Sequence, residues 1–234
     1  MNIRDNTKQL DYRTVDNKFM LEQTAEKKEI LEQQIKKLQP KTKILYNVVS
    51  DKQNKNNFFE DFANIYHRKC AYCGTSTDIQ AIENYEVDHY ICESSFINNI
   101  QGRIEAGKIE NLVLSCRNCN RFKSNLLIKD DYIKLLNPDD NSICNIFYRD
   151  DESNIKIKDE FIKDKFINEF YDKLNLANEF RRLDYLILQQ QHLLEFLRET
   201  KKITNEIELV LLKSIGMLKT RRNNYLPKSK KRNS

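Results

Sequence analysis

The sequence predicts an α+β fold dominated by helix. Three observations carry that expectation. Apolar residues recur at three- and four-residue steps in stretches at both ends, two short alternating runs flank an acidic turn at 150–153, and two C-x-x-C pairs enclose two short apolar runs.

Taken in order, Leu21, Ala25, Leu31, Ile35 and Leu38 fall among many charges, which predicts an amphipathic helix over 19–38 that ends before Pro40. Such a stripe can pack within the chain or against a partner, including a second copy in a homodimer. Phe58, Phe59, Phe62, Ile65 and Tyr66 form a second helical pattern that leads into Cys70. Residues 85–90 and 111–115 read as short strands joined by a polar loop that holds Gly102 and Gly107. A helix is then expected to begin near Cys116 or Cys119 and to carry Asn120 and Lys123 on one face. Residues 143–149 and 154–158 predict a β-hairpin split by Asp150, Asp151, Glu152 and Ser153.

Three helices complete the chain. The first carries Ile162, Phe166, Phe170 and Leu174, and the second Leu183, Leu186, Leu193 and Leu197. The third opens at Thr204 or Asn205, with Glu208 placed for a capping box. These stripes are expected to be core. The organisation expected is a helical region over 1–57, a compact unit over 58–128, a hairpin and helical region over 129–218, and a basic tail over 219–234.

Composition narrows the function. Charged residues make up 32% of the chain and aromatics 10%, without Trp, which describes a folded, surface-rich protein. No apolar run approaches the roughly 18 residues a membrane span needs, and the first 16 residues hold no apolar core of a signal peptide, so a cytoplasmic protein is expected. The net charge of +5 sits in the tail: Lys219, Arg221, Arg222, Lys228, Lys230, Lys231 and Arg232 meet no acid there, and the other 33 bases face 35 acids. That tail is a solvated end or a phosphate-contacting arm. Neither a phosphate-cradling Gly-rich loop nor a G-x-S-x-G elbow is present, so NTPase and α/β-hydrolase chemistry have no local support.

The cysteines point to a metal. Cys70-Ala-Tyr-Cys73 and Cys116-Arg-Asn-Cys119 have the same internal spacing and stand 42 residues apart, 74–115. Each pair lets two thiolates converge from one tight turn, and four soft ligands close a tetrahedral structural Zn2+ site with no place for water. A redox C-x-x-C normally stands alone beside a βαβ pattern, which is missing here. Cys92 and Cys144 have no matching partners and read as buried thiols, and neither His67 nor His192 has metal-ligand spacing to another histidine.

Inside the clamp, Asp88-His89, Asn111-Leu112 and Cys119-Asn120-Arg121-Phe122-Lys123 follow one another over 70–123. In that order they resemble the ββα-metal motif of HNH endonucleases. The run from Tyr85 to His89, and the step of nine from Asn111 to Asn120, are also similar to the HNH domain of type II CRISPR effector nucleases. The zinc clamp is more like that of phage and bacterial HNH proteins. Two positions depart from the pattern. Asn120 stands where many members carry His, and Cys92-Glu93 where a Pro often follows Asp-His.

The chemistry explains the residue types. Phosphodiester hydrolysis needs a base for water and a cation for the charge on the phosphorane and the leaving oxygen. An imidazole such as His89 takes a proton near neutral pH. Asp88 and the Asn120 carbonyl are hard oxygen ligands suited to Mg2+ or Mn2+, with Glu86 a further candidate ligand two residues before Asp88. Neighbours on a regular strand point to opposite faces, so Asp88 and His89 can serve one phosphate only if they flank it at a strand end or bulge.

The resemblance implies that Asn111 orients His89 and its loop, and that Lys123, with Arg117 or Arg121, holds substrate phosphates. It implies DNA as substrate. One ββα site cuts one strand, so a double-strand break requires two protomers or two encounters. The C-terminal helical extension is similar to that of bacterial anti-phage effectors such as the nuclease subunit of Septu-type systems, which implies an ATPase partner subunit. Two other readings stay open: a zinc-ribbon module that binds nucleic acid or a partner without cutting it, and an RNase using the same site.

Overall fold

A computed structural model describes residues 11–14 and 23–225 of the 234-residue chain. Helix α1 spans Thr24–Leu38, α2 Leu45–Val49 and α3 Phe58–Ile65. Strand β1, Tyr85–His89, is followed by α4, Ile100–Ala106, and by strand β2, Leu112–Cys116. Helix α5, Arg117–Lys123, follows β2 without a break, and α6 is the single turn Tyr132–Leu135. Then come β3, Phe147–Arg149, β4, Ile155–Ile157, α7, Lys165–Lys173, α8, Glu179–Glu199, and α9, Asn205–Tyr225. This is the expected α+β class, with two small antiparallel hairpins in a mainly helical chain. Among the described residues no helix is long and apolar enough to cross a membrane.

One continuous set of buried apolar residues runs from Tyr12 to Leu176 and includes all four clamp cysteines. Helix α3 behaves as its pattern demands, burying Phe58, Phe59, Phe62 and Ala63 before a turn in which His67 and Arg68 take left-handed backbone angles. That turn reverses the chain into Cys70.

Helix α1 differs from expectation. Of its expected span, 19–22 lies outside the described residues, Leu38 is exposed, and the buried stripe is Thr24, Lys28, Leu31 and Ile35. The stripe rotates because Lys28 is drawn inward. Its ammonium pairs with Asp139, donates to the Leu112 carbonyl and lies 5.5 Å from the Tyr66 ring centroid. Of the expected stripe, Leu31 and Ile35 are buried, and α1 packs against α3.

The second hairpin forms, but its first arm is short: 141–145 wind into a 3-10 turn and only Phe147–Arg149 pair with Ile155–Ile157. In α7 the cap is strong, since the Asp164 carboxylate accepts from the backbone N–H of Phe166 and Ile167, both at 2.9 Å. Ile162 falls outside that helix and is exposed.

The buried face of α8 is Phe180, Leu183, Ile187, Leu188 and Leu194, together with Arg181 and Asp184, whereas Leu193 is exposed. Thr204 caps α9, its hydroxyl accepting from the Ile207 N–H at 3.3 Å. Glu208 is therefore one position too far along for a capping box and pairs with Arg198 of α8 instead. The first part of the expected basic tail, 219–225, is helical. Lys219, Arg221 and Arg222 belong to α9, where Arg221 pairs with Glu179 at 2.8 Å and Arg222 is buried against Asp184. Lys228, Lys230, Lys231 and Arg232 lie outside the described residues.

Candidate functional site

The two C-x-x-C turns meet. Cys70, Cys73, Cys116 and Cys119 are buried, and their sulfurs all lie within 4.8 Å of one another. A tetrahedral ion with Zn–S bonds of about 2.3 Å sets its sulfurs about 3.8 Å apart. Cys73 and Cys116 stand 3.8 Å apart. Among the described residues this is the one group of three or more such side chains close enough to share a metal.

A second observation supports thiolate chemistry. Arg181 of α8, 1% exposed, directs its two terminal nitrogens at the cluster: Nη1 lies 2.8 Å from Cys73 Sγ and 3.4 Å from Cys116 Sγ, and Nη2 lies 3.0 Å from Cys119 Sγ. A buried guanidinium needs negative charge beside it. Four neutral thiols supply none, whereas four thiolates around Zn2+ carry a net charge of −2 and accept those N–H groups. The residues present therefore fit zinc.

The clamp also organises its surroundings. Thr75 lies 3.3 Å from Cys73 Sγ and donates to Asp184 at 3.1 Å, and Asp184 pairs with Arg222, so α8 and α9 are both anchored on the cysteine cluster. On the other side, the Tyr12 hydroxyl donates to the Tyr72 carbonyl at 2.6 Å, and Arg13 donates to the Ala71 carbonyl at 2.8 Å. Residues 11–14 thus lie directly on the first turn. Gly74 shows how closely: its φ is +75°, and a Cβ there would sit 2.3 Å from the Arg13 carbonyl oxygen. Gly74→Ala is expected to cost at least about 1–3 kcal/mol, from the left-handed backbone and the collision together. Chemical unfolding of the zinc-loaded chain measures it, and an unchanged midpoint would contradict it. Cys92 and Cys144 are buried outside the cluster, as expected, and burial pushes the Cys144 thiol up to about 12.

From the clamp the strands and helix of the core project in a fixed order. β1 pairs antiparallel with β2, Tyr85 opposite Cys116 and His89 opposite Leu112, so His89 is the last paired residue of its strand. Glu86 and Asp88 share the face turned toward α5. Glu86 accepts from Asn120 Nδ2 at 2.7 Å and from Arg117 Nε at 3.1 Å, and Asp88 meets Lys123 one helical turn further on. A carboxylate can only accept, so the Asn120 amide nitrogen must face Glu86 and its Oδ1 is turned away, available to a cation.

Asp88 is 7% exposed and receives the Tyr72 hydroxyl at 2.7 Å and the Lys123 ammonium at 3.0 Å. Burial pushes its carboxyl up, against the pull of Lys123 and Tyr72. Lys123 is placed otherwise than a phosphate ligand would be. It is 1% exposed and donates to the His89 carbonyl at 2.7 Å as well as to Asp88. It holds the end of β1 to α5. Arg117 is half-exposed at the mouth, tied to Glu86 and to the Glu83 carbonyl, and Arg121 is exposed.

Asn111 is 8% exposed and locks the loop after His89: its Oδ1 accepts from Ile91 N at 2.9 Å, and its Nδ2 donates to the carbonyls of Ile91 at 3.0 Å and Ala106 at 2.8 Å. It fixes backbone, not the imidazole. The His89 ring lies against Tyr46 of α2, with ring centroids 4.3 Å apart, and strand alternation sends it off the backbone on the side opposite Asp88. Burial lowers its pKa, with Glu93 opposing and Lys123 adding to the shift. Because β1 ends here, Asp88 and His89 lie on two sides of one strand terminus. Their surroundings overlap, since Asp88, Glu86 and Glu93 all act on the Tyr46 phenol. His67 is exposed in its turn and His192 half-buried in α8, both outside the cysteine cluster.

Sequence reasoning missed Arg181, Tyr46 and Lys52. Arg181 carried a signal, an arginine on the apolar face of a helix. Tyr46 and Lys52 sit before the recognisable motif, and Lys52 reaches the carbonyl of Glu83 at 3.0 Å, beside Arg117. With this geometry in hand, the family model for HNH endonuclease matches residues 70–126, which takes in both cysteine turns, both strands and α5. No curated protein and no solved structure matches the chain.

Proposed function

We propose that the chain is a metal-dependent endonuclease that hydrolyses DNA phosphodiester bonds, with His89 as general base and Asp88 and Asn120 as the ligands of one Mg2+ or Mn2+. The observation that carries this reading is the strand end where Asp88, His89 and α5 converge. It offers a buried carboxylate paired with Lys123, an amide oxygen turned away from Glu86 and a half-buried imidazole within one HNH domain.

Each residue has a task. His89 takes the proton from the attacking water at its imidazole nitrogen, and burial keeps that ring neutral and able to accept. Asp88 and the Asn120 Oδ1 are hard oxygen donors, which suit a hard divalent cation better than a soft one. When bound, that cation supplies charge stabilisation at the phosphorane and the leaving oxygen. Arg117, Arg121 and Lys52 are the cations near the mouth that can hold flanking phosphates, while Lys123 keeps β1 and α5 together. The helical pair α8–α9 behind the core is the feature that supports the further reading of an anti-phage effector acting beside an ATPase subunit.

The test is cleavage of plasmid DNA and of a matched RNA by the zinc-loaded chain with Mg2+ or Mn2+. Cutting of DNA supports the proposal, cutting of RNA alone replaces the substrate, and DNA binding without cutting favours a zinc-ribbon binding module. A pH dependence follows from His89. A base works in its neutral form, and a lowered pKa keeps it neutral to lower pH, so at saturating metal the acid limb of kcat is expected below about pH 6.5. The bound cation shifts it the same way. A limb at or above that value would contradict the assignment.

A further inference from the structure

A general base is normally held by a second group, and the polar candidate for that task, Asn111, spends its amide on the backbone of Ile91 and Ala106. Among the described residues no hydrogen bond reaches either imidazole nitrogen of His89. The χ2 torsion of a histidine is broad, so a ring without a partner turns over a wide range. What the imidazole does touch is the Tyr46 ring, with centroids 4.3 Å apart and planes 30° from parallel.

Tyr46 is itself fixed. Leu45, Val48 and Val49 bury α2 against α3, and the Tyr46 N–H donates to the Gly107 carbonyl at 3.3 Å. Gly107 follows α4 and lies so close that a Cβ there would be 2.8 Å from Ile44 Cγ2 and 3.4 Å from Tyr46 Cβ. The phenol lies near Asp88, Glu86 and Glu93, and burial together with those carboxylates raises its pKa. Helix α2 therefore packs beside the end of β1.

We propose that Tyr46 is a positioning residue, whose ring stacks on the His89 imidazole and holds it in the orientation that accepts the proton of the attacking water. This rests on the reading of His89 as the base. A flat ring is what the task requires, and the hydroxyl is dispensable. Phenylalanine therefore substitutes for tyrosine, whereas leucine, which keeps bulk without a π-face, does not.

Two measurements on the full zinc-loaded chain test it. The first is NMR of the His89 ring protons, assigned by their loss in His89→Ala. They are expected to be displaced upfield by the ring current, to stay there in Tyr46→Phe, and to move toward unperturbed imidazole positions in Tyr46→Leu and Tyr46→Ala. The second is cleavage kinetics: kcat falls about tenfold in Tyr46→Leu and Tyr46→Ala, with KM within about twofold, and Tyr46→Phe stays near the wild type. Zinc content and melting midpoint show that the variants are folded, and Tyr46→Leu preserves packing if the alanine variant does not fold. Unchanged ring shifts, or a leucine variant that cuts at the wild-type rate, would overturn the proposal. If the wild type cuts no nucleic acid, the nuclease reading fails by itself, and the ring shifts alone then decide whether Tyr46 holds His89.

Discussion

Cys116→Ser is expected to lose zinc and fold together. Cys116 is the last residue of β2, fully buried, opposite Tyr85 in the sheet and directly before α5, so a zinc held by its side chain would be tied to both the strand and the helix. A structural zinc in a small domain contributes an apparent binding free energy of about 10–16 kcal/mol, as large as the roughly 5–15 kcal/mol that separates a folded domain from its unfolded chain. Serine puts a hard, largely protonated oxygen where a thiolate belongs. The loss spreads, because Arg181 would lose its counter-charge and Asp184, Arg222 and α9 are anchored through the same cluster. Metal analysis and thermal melting measure this. A Cys116→Ser chain that is folded and fully zinc-loaded would remove the structural role assigned to the clamp.

Asp88→Asn is expected to abolish cleavage, by about a hundredfold or more, with zinc content intact. Asparagine keeps the size and the acceptor for the Tyr72 hydroxyl but removes the charge that would bind the cation. Lys123, 1% exposed, is then left without its counter-ion, and breaking a buried pair by removing one partner costs about 3–5 kcal/mol. Stability and activity should therefore fall together in the single variant. The double variant Asp88→Asn/Lys123→Met separates them, since it removes the unpaired charge and is expected to recover part of the stability, short of the Lys123 bond to the His89 carbonyl, while staying inactive. A double variant that cuts, or a single variant that sheds its zinc, would show that Asp88 acts through the fold rather than through a cation.

The core was legible because its signals are local. Two C-x-x-C turns, a strand carrying Asp88-His89 and a helix expected from near Cys116 or Cys119 are each marked by a short motif; the strand ends at His89, the helix starts at Arg117, and the two turns meet. What was not legible depended on partners distant in sequence. Lys28 turned α1 because Asp139, 111 residues away, offered a half-buried carboxylate, and no periodicity encodes that. Lys123 has the spacing of a phosphate ligand, yet it is spent on Asp88 and the His89 carbonyl. Arg222 belonged by composition to a basic tail and by structure to a buried pair with Asp184. Charge counting assumes solvated charges, and these side chains are the ones that fold away.

Plasmid cleavage by the wild type and by His89→Ala, both zinc-loaded, with and without Mg2+ or Mn2+, tests the account most directly. Metal-dependent cutting by the wild type is expected, with a loss of about two to four orders of magnitude in kcat for His89→Ala and with fold and zinc unchanged. Equal cutting by the two proteins, or wild-type cutting that persists after the divalent metal is chelated, would contradict it.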